Sequence, residues 1–361
     1  MTCTTFKYKY FTNLIHTTEN IMKKTFLLML FALTAMVGES FAQDAQVAML
    51  YHKNGMGNTE SFYGYQALIS ALNNANQGDV ISLSGATFLA PPQISIGITI
   101  RGAGMKADAA LGTLPTIIQG NLRLTSNGKI TIEGIYHNGN IDYSTSISSK
   151  FIKCRLNNIE PTVSTSKMTD AQFVQCKIAG QLALNGNSTA TCINSVVNNP
   201  TSIGSVGTSL SSYGRFIFTN CVLYTNSPVI RSSVFVNSVI YDNLSNGEGV
   251  FDSSNVMNYN VGCSTGGLNI FPQNDTNVSF PTPNDFVNGL EITIDGEMDA
   301  LDYVLGRGRF YLGGDGTQVG IYGGTLPFDP KVTGPRITQA TVGSQTTSDG
   351  KLSVDITVSA Q

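Results

Sequence analysis

The first residues that could do chemistry are three basic side chains close to two cysteines, in two neighbouring repeats of the sequence. Lys153 and Arg155 flank Cys154, and Lys177 directly follows Cys176. A polysaccharide lyase acting on acidic glycans needs a general base, and also cations or calcium to neutralise the substrate carboxylate. Lys153, Arg155 and Lys177 are therefore the candidate catalytic residues, and calcium is the cofactor that a lyase would add. Charges stacked on an outer sheet surface are more often only solvated, so we favour a non-catalytic protein.

Carboxylates do not supply an alternative active site. A glycoside hydrolase needs a pair of Asp or Glu residues at a fixed separation, whereas acidic residues are sparse in the central segment and include no Asp-Asp pair. The two histidines after residue 43, His52 and His137, lack the Ser or Cys motif of a catalytic triad, and we expect both in loops. The sequence predicts no metal site and, apart from the calcium of a lyase, no cofactor.

Tyrosines form the second set of candidates, because they recur about once per repeat. A row of tyrosines on an outer face could stack against sugar rings. The alternative is that each tyrosine packs at the base of a loop. If these tyrosines bind a partner, that partner is an extracellular polysaccharide or another glycan. The candidate ligand-binding residues are Tyr136, Tyr143, Tyr224 and Tyr241.

The elements that must position these side chains are short strands repeated along the chain. Each contains an apolar phrase such as Phe218-Thr219-Asn220-Cys221-Val222-Leu223, with one small residue in a constant place. A period of about twenty residues is typical of a solenoid, and the Phe, Ile and Val content of the phrases favours strands. The expected column of small residues is Gly134, Cys154, Cys176, Ser195, Cys221, Ser238 and Ser254.

The residue before the small one marks a corner. In a straight strand Phe218 and Cys221 would point to opposite faces, so a bend between them is needed to bury both. Asn adopts the left-handed backbone conformation more readily than most residues, and it precedes the small residue in three phrases. We therefore expect an internal ladder of Asn side chains at a tight corner. The corner positions are Lys153, Gln175, Asn194, Asn220 and Asn237, of which the first two depart from Asn.

These Asn-Cys and Asn-Ser corners resemble those of the right-handed parallel β-helix proteins of the pectate-lyase-like superfamily. Residues 315–324 and Pro327-Phe328 resemble a closing segment of the β-helix proteins that Bacteroidetes secrete. The opening segment adds to the resemblance, with helical spacing over residues 65–72, a Gly78-Asp79 turn, and strands near 80–83 and 94–100. The resemblance implies an all-β fold, a right-handed parallel β-helix (solenoid) with an N-terminal capping helix. It does not identify an activity, because that fold carries lyases, hydrolases, esterases and non-catalytic adhesins.

The sequence predicts three regions. Residues 1–42 are an upstream extension and a signal peptide that is cleaved near Ala42, so the mature chain starts at about Gln43. Residues 43–330 form the β-helix, and residues 331–361 form a C-terminal β-hairpin tail, a small β appendage. Together with the resemblance, the signal peptide implies a protein that is secreted, or that lies at the cell surface or in the periplasm of a Gram-negative bacterium.

Composition narrows the possible partners. Only 12% of the residues are charged and the formal net charge is −3, which provides no basic field for nucleic acid or for an anionic membrane. We expect no transmembrane segment in the mature chain. The expected function is a secreted, non-catalytic β-helix protein that binds glycans or acts as an adhesin at the cell surface. The alternatives are a polysaccharide lyase or other carbohydrate-active enzyme acting on acidic glycans, and a structural envelope protein.

Overall fold

The chain folds into an all-β, right-handed parallel β-helix of about eight turns, which confirms the fold class that the repeat predicts. The expected signal peptide lies outside the described residues. The computed structural model describes residues 46–361 apart from 54–56, 109–112, 145, 204–212, 226–229, 243–250, 252, 265–270, 272–275, 281–310, 332–335, 347–351 and 360–361.

The first sheet has eleven strands. They are β1 (Val47–Tyr51), β2 (Thr59–Tyr63), β3 (Val80–Leu83), β6 (Thr99–Arg101), β9 (Ile130–Glu133), β12 (Ser146–Ile152), β15 (Lys167–Val174), β18 (Thr189–Ile193), β21 (Arg215–Thr219), β23 (Val234–Val236) and β25 (Val256–Asn258). Their spatial order is β2-β1-β3 and then chain order to β25. The pairs β1–β2 and β1–β3 are antiparallel, and the later pairs are parallel.

The second sheet has ten parallel strands and the third has six. The second contains β4 (Thr87–Leu89), β7 (Ile117–Gln119), β10 (Tyr136–Asn138), β13 (Arg155–Leu156), β16 (Lys177–Ile178), β19 (Val196–Asn198), β22 (Val222–Thr225), β24 (Val239–Asp242), β26 (Val261–Ser264) and β27 (Val278–Phe280). The third contains β5 (Gln93–Ile94), β8 (Leu122–Leu124), β11 (Ile141–Tyr143), β14 (Ile159–Pro161), β17 (Leu182–Leu184) and β20 (Pro200–Ser202).

The described residues contain one α-helix, α1 (Ala67–Asn74), which precedes β3. Its Ala67, Leu68 and Ala71 are buried in the main core, as the helical spacing of these residues predicts. Within the described part of the chain no helix has both the length and the apolar character needed to span a membrane. Near the C-terminus, β28 (Arg336–Thr346) and β29 (Leu352–Ser359) pair antiparallel. That α1 caps the solenoid and that the hairpin is an appendage stay predictions.

The bend between the first and second sheets is the corner that the sequence predicts. Lys153, Gln175, Asn194, Asn220 and Asn237 all have positive φ, between 45° and 53°. The left-handed turn brings the Phe and the Cys or Ser on either side of it to the same interior. Lys and Gln take this conformation less readily than Asn, at a cost of roughly 1 kcal/mol each, so other contacts must favour them at their two corners.

The expected column of small residues is wrong at its first member. Glu133 pairs with Ile152, so Gly134 takes the corner itself, with φ 64°. Ile135 then occupies the buried position that corresponds to Cys154 on the next turn. Glycine has no Cβ and enters the left-handed region without a steric penalty, which is why it replaces Asn here.

The column is also wrong at its last member. The register of β23 and β25 places Tyr259 at the corner, with φ 56°, and Asn260 in the column. The side-chain oxygen of Asn260 accepts a hydrogen bond from the Ser238 N–H at 3.0 Å. Ser254 belongs to a different corner, where its Oγ accepts a hydrogen bond from the Ser232 N–H at 2.9 Å.

The remaining members of the column form a dry interior. Cys154, Cys176 and Cys221 are free and fully buried, and burial raises the pKa of the Cys221 thiol to about 12. Thiols that stay protonated are poor nucleophiles and poor metal ligands, so they act as small apolar fillers. Beside them, the rings of Phe151 and Phe173 stack with centroids 5.1 Å apart.

The corner side chains face outwards, which corrects the expectation of an internal Asn ladder. The interior at each bend is filled by the Phe and the Cys or Ser, so the Cβ of the corner residue lies on the outer side. These side chains are nevertheless buried, because residues 311–331, which we call the strap, lie across them. Asn194 is 2% exposed, and its Nδ2 donates to the carbonyls of Ile321 and Gly323 at 2.9 and 2.6 Å.

The strap runs back along the corner from later turns to earlier ones. Asn237 accepts a hydrogen bond from the Gly314 N–H at 2.9 Å, near the start of the strap. Gln175, three turns earlier in the solenoid, donates to the carbonyls of Leu326 and Pro327, nearer the end of the strap. Apolar contacts complete the interface. Outward-facing Val196, Val222, Val239 and Val261 of the second sheet pack with Val319, Ile321 and Phe328 of the strap in a second core.

Candidate functional site

Lys153, the first basic candidate, anchors the end of the strap. Its side chain is only 6% exposed, and its Nζ donates to the Lys331 carbonyl at 2.5 Å and lies 3.8 Å from Asp329 Oδ2. A lysine held in this way is a structural contact rather than a base open to a substrate. The long side chain also explains why Lys stands at a corner that Asn usually occupies, because only a long donor reaches the strap here.

Arg155 and Lys177 lie side by side on β13 and β16, as the sequence predicts. Lys177 is 7% exposed. The guanidinium of Arg155 stacks over the ring of Tyr136, with Cζ 4.7 Å from the ring centroid. Arg155 and Lys177 belong to an outward-facing row of the second sheet, whose next member, Val196, lies under the strap. Since Lys153 and Lys177 are both covered, the three residues do not present a basic cluster to solvent.

Tyr143 lies inside the solenoid and is therefore not part of a surface row. It is fully buried, its hydroxyl donates to the Ala183 carbonyl at 2.9 Å, and burial raises its pKa to about 12. The side chain runs along the inner side of the third sheet to reach β17, two turns further on, so its role is to fill the core. This position corrects its assignment as a ligand-binding candidate.

The other tyrosine candidates do not form one row either. Tyr224 and Tyr241 stack on neighbouring turns, with ring centroids 5.0 Å apart and planes 14° from parallel. Tyr136 belongs to a different outward row, the one that contains Arg155 and Val222. Tyr241 also packs against the second core. The pair is half-buried and leaves little ring surface for a sugar.

A cleft that the sequence reasoning did not identify offers a better site. It has a volume of about 480 Å³ and lies where the chain enters the first sheet. Its walls come from the starts of β18, β21, β23 and β25, hence from four successive turns. They combine hydroxyl and amide groups with one arginine, one tyrosine and two valines. The lining residues are Asn187, Ser188, Thr189, Tyr213, Arg215, Ser232, Ser233, Val234, Ser254 and Val256.

Hydrogen bonds between turns hold the cleft in shape. Ser233 is buried, and its Oγ accepts from the Phe216 N–H at 3.0 Å and donates to the Arg231 carbonyl at 2.9 Å. The Ser188 Oγ likewise accepts a hydrogen bond from the Met168 N–H at 3.0 Å. The cleft floor is thus a second ladder of small polar residues. It parallels the Cys and Ser column at the other end of each first-sheet strand.

Among the described residues, two arginines lie at or beside the cleft wall. Arg215 is exposed and sits in the row beside Thr189, and the guanidinium of Arg231 lies 4.9 Å from the ring centroid of Tyr213. The register places one carboxylate, Asp170 on β15, next to Thr189 at the edge of the cleft. Its Oδ1 accepts a hydrogen bond from Gln172 Nε2 at 3.3 Å. The lining residues themselves include no acid and no histidine.

The sequence contained a faint signal for this cleft. The polar groups Asn187-Ser188-Thr189, Ser232-Ser233 and Ser253-Ser254 each lie at, or just before, the start of a first-sheet strand. Ser, Thr and Asn are typical of turns, so the sequence alone predicts only loops at these places. Only the stacking of the turns shows that they line one surface.

His52 lies just after β1 and outside any helix or strand, as expected, whereas His137 lies in a strand, which corrects the expectation that both histidines lie in loops. His52 bonds through Nδ1 to the buried Asp79 Oδ2 at 2.8 Å, and this bond raises the pKa of His52. Burial would raise the pKa of Asp79, but hydrogen bonds from the Asn76 and Lys53 N–H groups and from His52 lower it overall. His137 lies in β10 and is 2% exposed.

Among the described residues no group of three or more His, Cys, Asp or Glu side chains converges in a way that could hold a metal ion. Comparison of the chain with protein-family models, with curated proteins and with solved structures found no significant match.

Proposed function

We propose that this chain is a non-catalytic β-helix protein that binds a glycan, and that the cleft between the starts of β18 and β25 is its binding site. The observation that carries the proposal is the composition of the cleft walls. Sugars present hydroxyl groups at their edges and C–H groups on their faces. A site for them therefore combines polar side chains with an aromatic or aliphatic surface, and Tyr213 and Val256 supply that surface here.

The placement of the basic candidates favours binding over catalysis. Cleavage of a glycan needs groups that accept and donate a proton at the scissile bond. Lys153 is bound to the strap, Lys177 is covered, and the cleft lining offers hydroxyl, amide and guanidinium groups. These groups can orient a saccharide but are poor proton carriers near neutral pH.

The proposal includes a relationship to the pectate-lyase-like superfamily of the secreted Bacteroidetes type, and a place outside the cytoplasm of a Gram-negative cell. The left-handed Asn corners and the signal-like segment before Ala42 support it. Sequencing the N-terminus of the protein recovered from culture medium and envelope fractions tests this part. Cleavage near Ala42 is expected, and an intact N-terminus in the cytoplasm would contradict it.

Glycan arrays followed by calorimetry on the purified chain test the binding site. Tyr213→Ala should weaken binding roughly 3- to 10-fold, because an aromatic stacking contact contributes about 0.5–1.5 kcal/mol. Tyr63→Ala is the matched control, since Tyr63 is 75% exposed on the distant β2 and its loss should leave binding unchanged. Absence of binding to any glycan, or equal loss in both variants, contradicts the proposal. Formation of unsaturated products, followed by ultraviolet absorbance, would establish a lyase instead.

A further inference from the structure

We propose that the ligand of the cleft is a sulfated saccharide whose chain runs along the axis of the solenoid, with its sulfate ester held by Arg215. This inference rests on the proposed function and specifies the chemistry of the same site. It depends on three features: the exposed Arg215 in the cleft wall, the groups beside Arg215, and the origin of the walls in successive turns.

Charge selects an anionic ligand. Arg215 is exposed at the cleft wall, and Arg231 stacks on Tyr213 beside the lining. The chain as a whole is weakly acidic, with a net charge of −3, so Arg215 is a local cationic group rather than part of a general basic surface. Guanidinium groups form charge-assisted hydrogen bonds with anionic oxygens, which are about twice as strong as neutral ones.

The neighbours of Arg215 favour a sulfate over a carboxylate. A carboxylate has two oxygens, and one bidentate guanidinium satisfies both. A sulfate ester has three terminal oxygens and needs a further donor. Hydroxyl groups stand on both sides of Arg215, since Thr189 pairs with it on the preceding turn and Ser232 lines the cleft on the following turn. Adjacent turns are separated by about 4.8 Å, so an anion bound by Arg215 close to the sheet has a hydroxyl-bearing residue one turn to either side of it.

The stacking of turns sets the direction and length of the ligand. The walls come from four successive turns, which span three intervals of about 4.8 Å, or roughly 14 Å along the axis. A saccharide of about three rings has a similar length. Asp170 stands beside Thr189 at one end of this path, so the sulfate should bind on the side of Arg215 that points away from that carboxylate, towards Ser232.

The test compares one oligosaccharide backbone in three forms, namely sulfated, chemically desulfated, and carboxylated, by calorimetry on the full chain. The sulfated form should bind at least tenfold more tightly than the desulfated form, and affinity should rise with chain length up to about three rings. Arg215→Gln should weaken the sulfated form by about 10- to 100-fold, as expected for loss of a hydrogen bond to a charged group, and should leave the desulfated form unchanged. Arg123→Gln is the control, because Arg123 is exposed on the third sheet.

The outcomes separate this inference from the proposed function. Equal binding of the sulfated and desulfated forms, or tighter binding of the carboxylated form, overturns the sulfate assignment while the glycan-binding function stands. Loss of affinity for every form on Arg215→Gln, including the desulfated one, also overturns it, because the arginine would then support the cleft rather than read the anion. Failure of all three forms, together with the whole array, removes the proposed function itself.

Discussion

At the scale of single residues, His137 occupies a place where it cannot carry a charge without a large cost. It lies in the inward-facing row of the second sheet, between Ile118 on the preceding turn and Leu156 on the following turn, and the residue is 2% exposed. Burial lowers its pKa from 6.5 to about 4. The backbone of Gly120 and Gly139 offsets part of this shift, although within the described residues neither ring nitrogen has a partner in hydrogen-bond geometry.

This histidine should make the fold sensitive to acid. As the pH falls, the unfolded chain, with a pKa near 6.5, binds the proton before the folded chain does, so stability is lost between about pH 6.5 and pH 4. The loss should approach about 3 kcal/mol, from about 1.4 kcal/mol per unit of pKa difference. Urea unfolding of the wild type and His137→Leu at pH 7 and pH 4 measures it. An identical pH dependence in both proteins would show that His137 is not the group responsible.

Lys153 gives a second prediction at this scale, because a structural role and a catalytic role predict different effects of replacing it. Lys153→Met removes the hydrogen bond to the Lys331 carbonyl and the contact with Asp329. The free energy of unfolding should fall by about 1–3 kcal/mol, while glycan binding should stay unchanged. Lys150→Met, on the outward face of the same strand segment, is the control and should alter neither. If the stability of Lys153→Met matches the control and a cleavage activity disappears, Lys153 is catalytic.

At the scale of elements, the strap is the part of the fold that depends most on close backbone contact. Gly323 lies against Asn220, and a Cβ at this position would stand 2.6 Å from Asn220 Nδ2 and would clash with the Gln318 carbonyl. Among the described strands none pairs with residues 319–331. These residues are held by corner side chains, by a hydrogen bond from the Gly320 N–H to the Asn237 carbonyl at 2.8 Å, and by the apolar contacts of Val319, Ile321 and Phe328.

Gly323→Ala should therefore loosen the strap without disturbing the sheets. We expect a loss of about 1–3 kcal/mol, as for overpacking of a tight site, and faster proteolytic cleavage within residues 311–331. Thr325→Ala, at an exposed position of the same segment, is the matched control. Limited proteolysis with mass spectrometry distinguishes the two, and a cleavage pattern equal to that of the control would show that the strap is not closely packed at Gly323.

At the scale of the whole molecule, the interior is one continuous core in which neighbouring turns support each other. The four cysteines Cys154, Cys176, Cys192 and Cys221 lie within it, and burial raises the pKa of the last three. A thiol reagent reacts with the thiolate, so these residues should react only when turns separate.

Thiol labelling then reports the opening of the solenoid. In a chain carrying Cys3→Ser and Cys263→Ser, four of the six cysteines remain. They should be unreactive in the native protein and should label together, at a rate that follows global unfolding. Rapid labelling of one cysteine under native conditions would contradict a continuous core and would identify the turn that opens first.

The repeat made much of this arrangement predictable. In each phrase the Phe and the Cys face inwards, and the Asn between them takes the left-handed backbone conformation. That local pattern is enough to identify parallel turns and to place Arg155 next to Lys177. The two errors, at Gly134 and Ser254, arose where the phrase is weak. A small residue there fits either the corner or the column, and only the strand register decides between them.

The amino-acid sequence by itself determined the β-helix, the bend at each corner and the burial of the cysteines, because these follow from short-range geometry that every turn repeats. The tertiary structure alone decided what covers the corners and what lines the cleft. The strap contacts Lys153 and Asn194 across more than 120 residues of chain, and the cleft assembles four separate turns. Contacts of this kind carry no periodic signal, since each is made once, by segments that meet only after the turns have stacked.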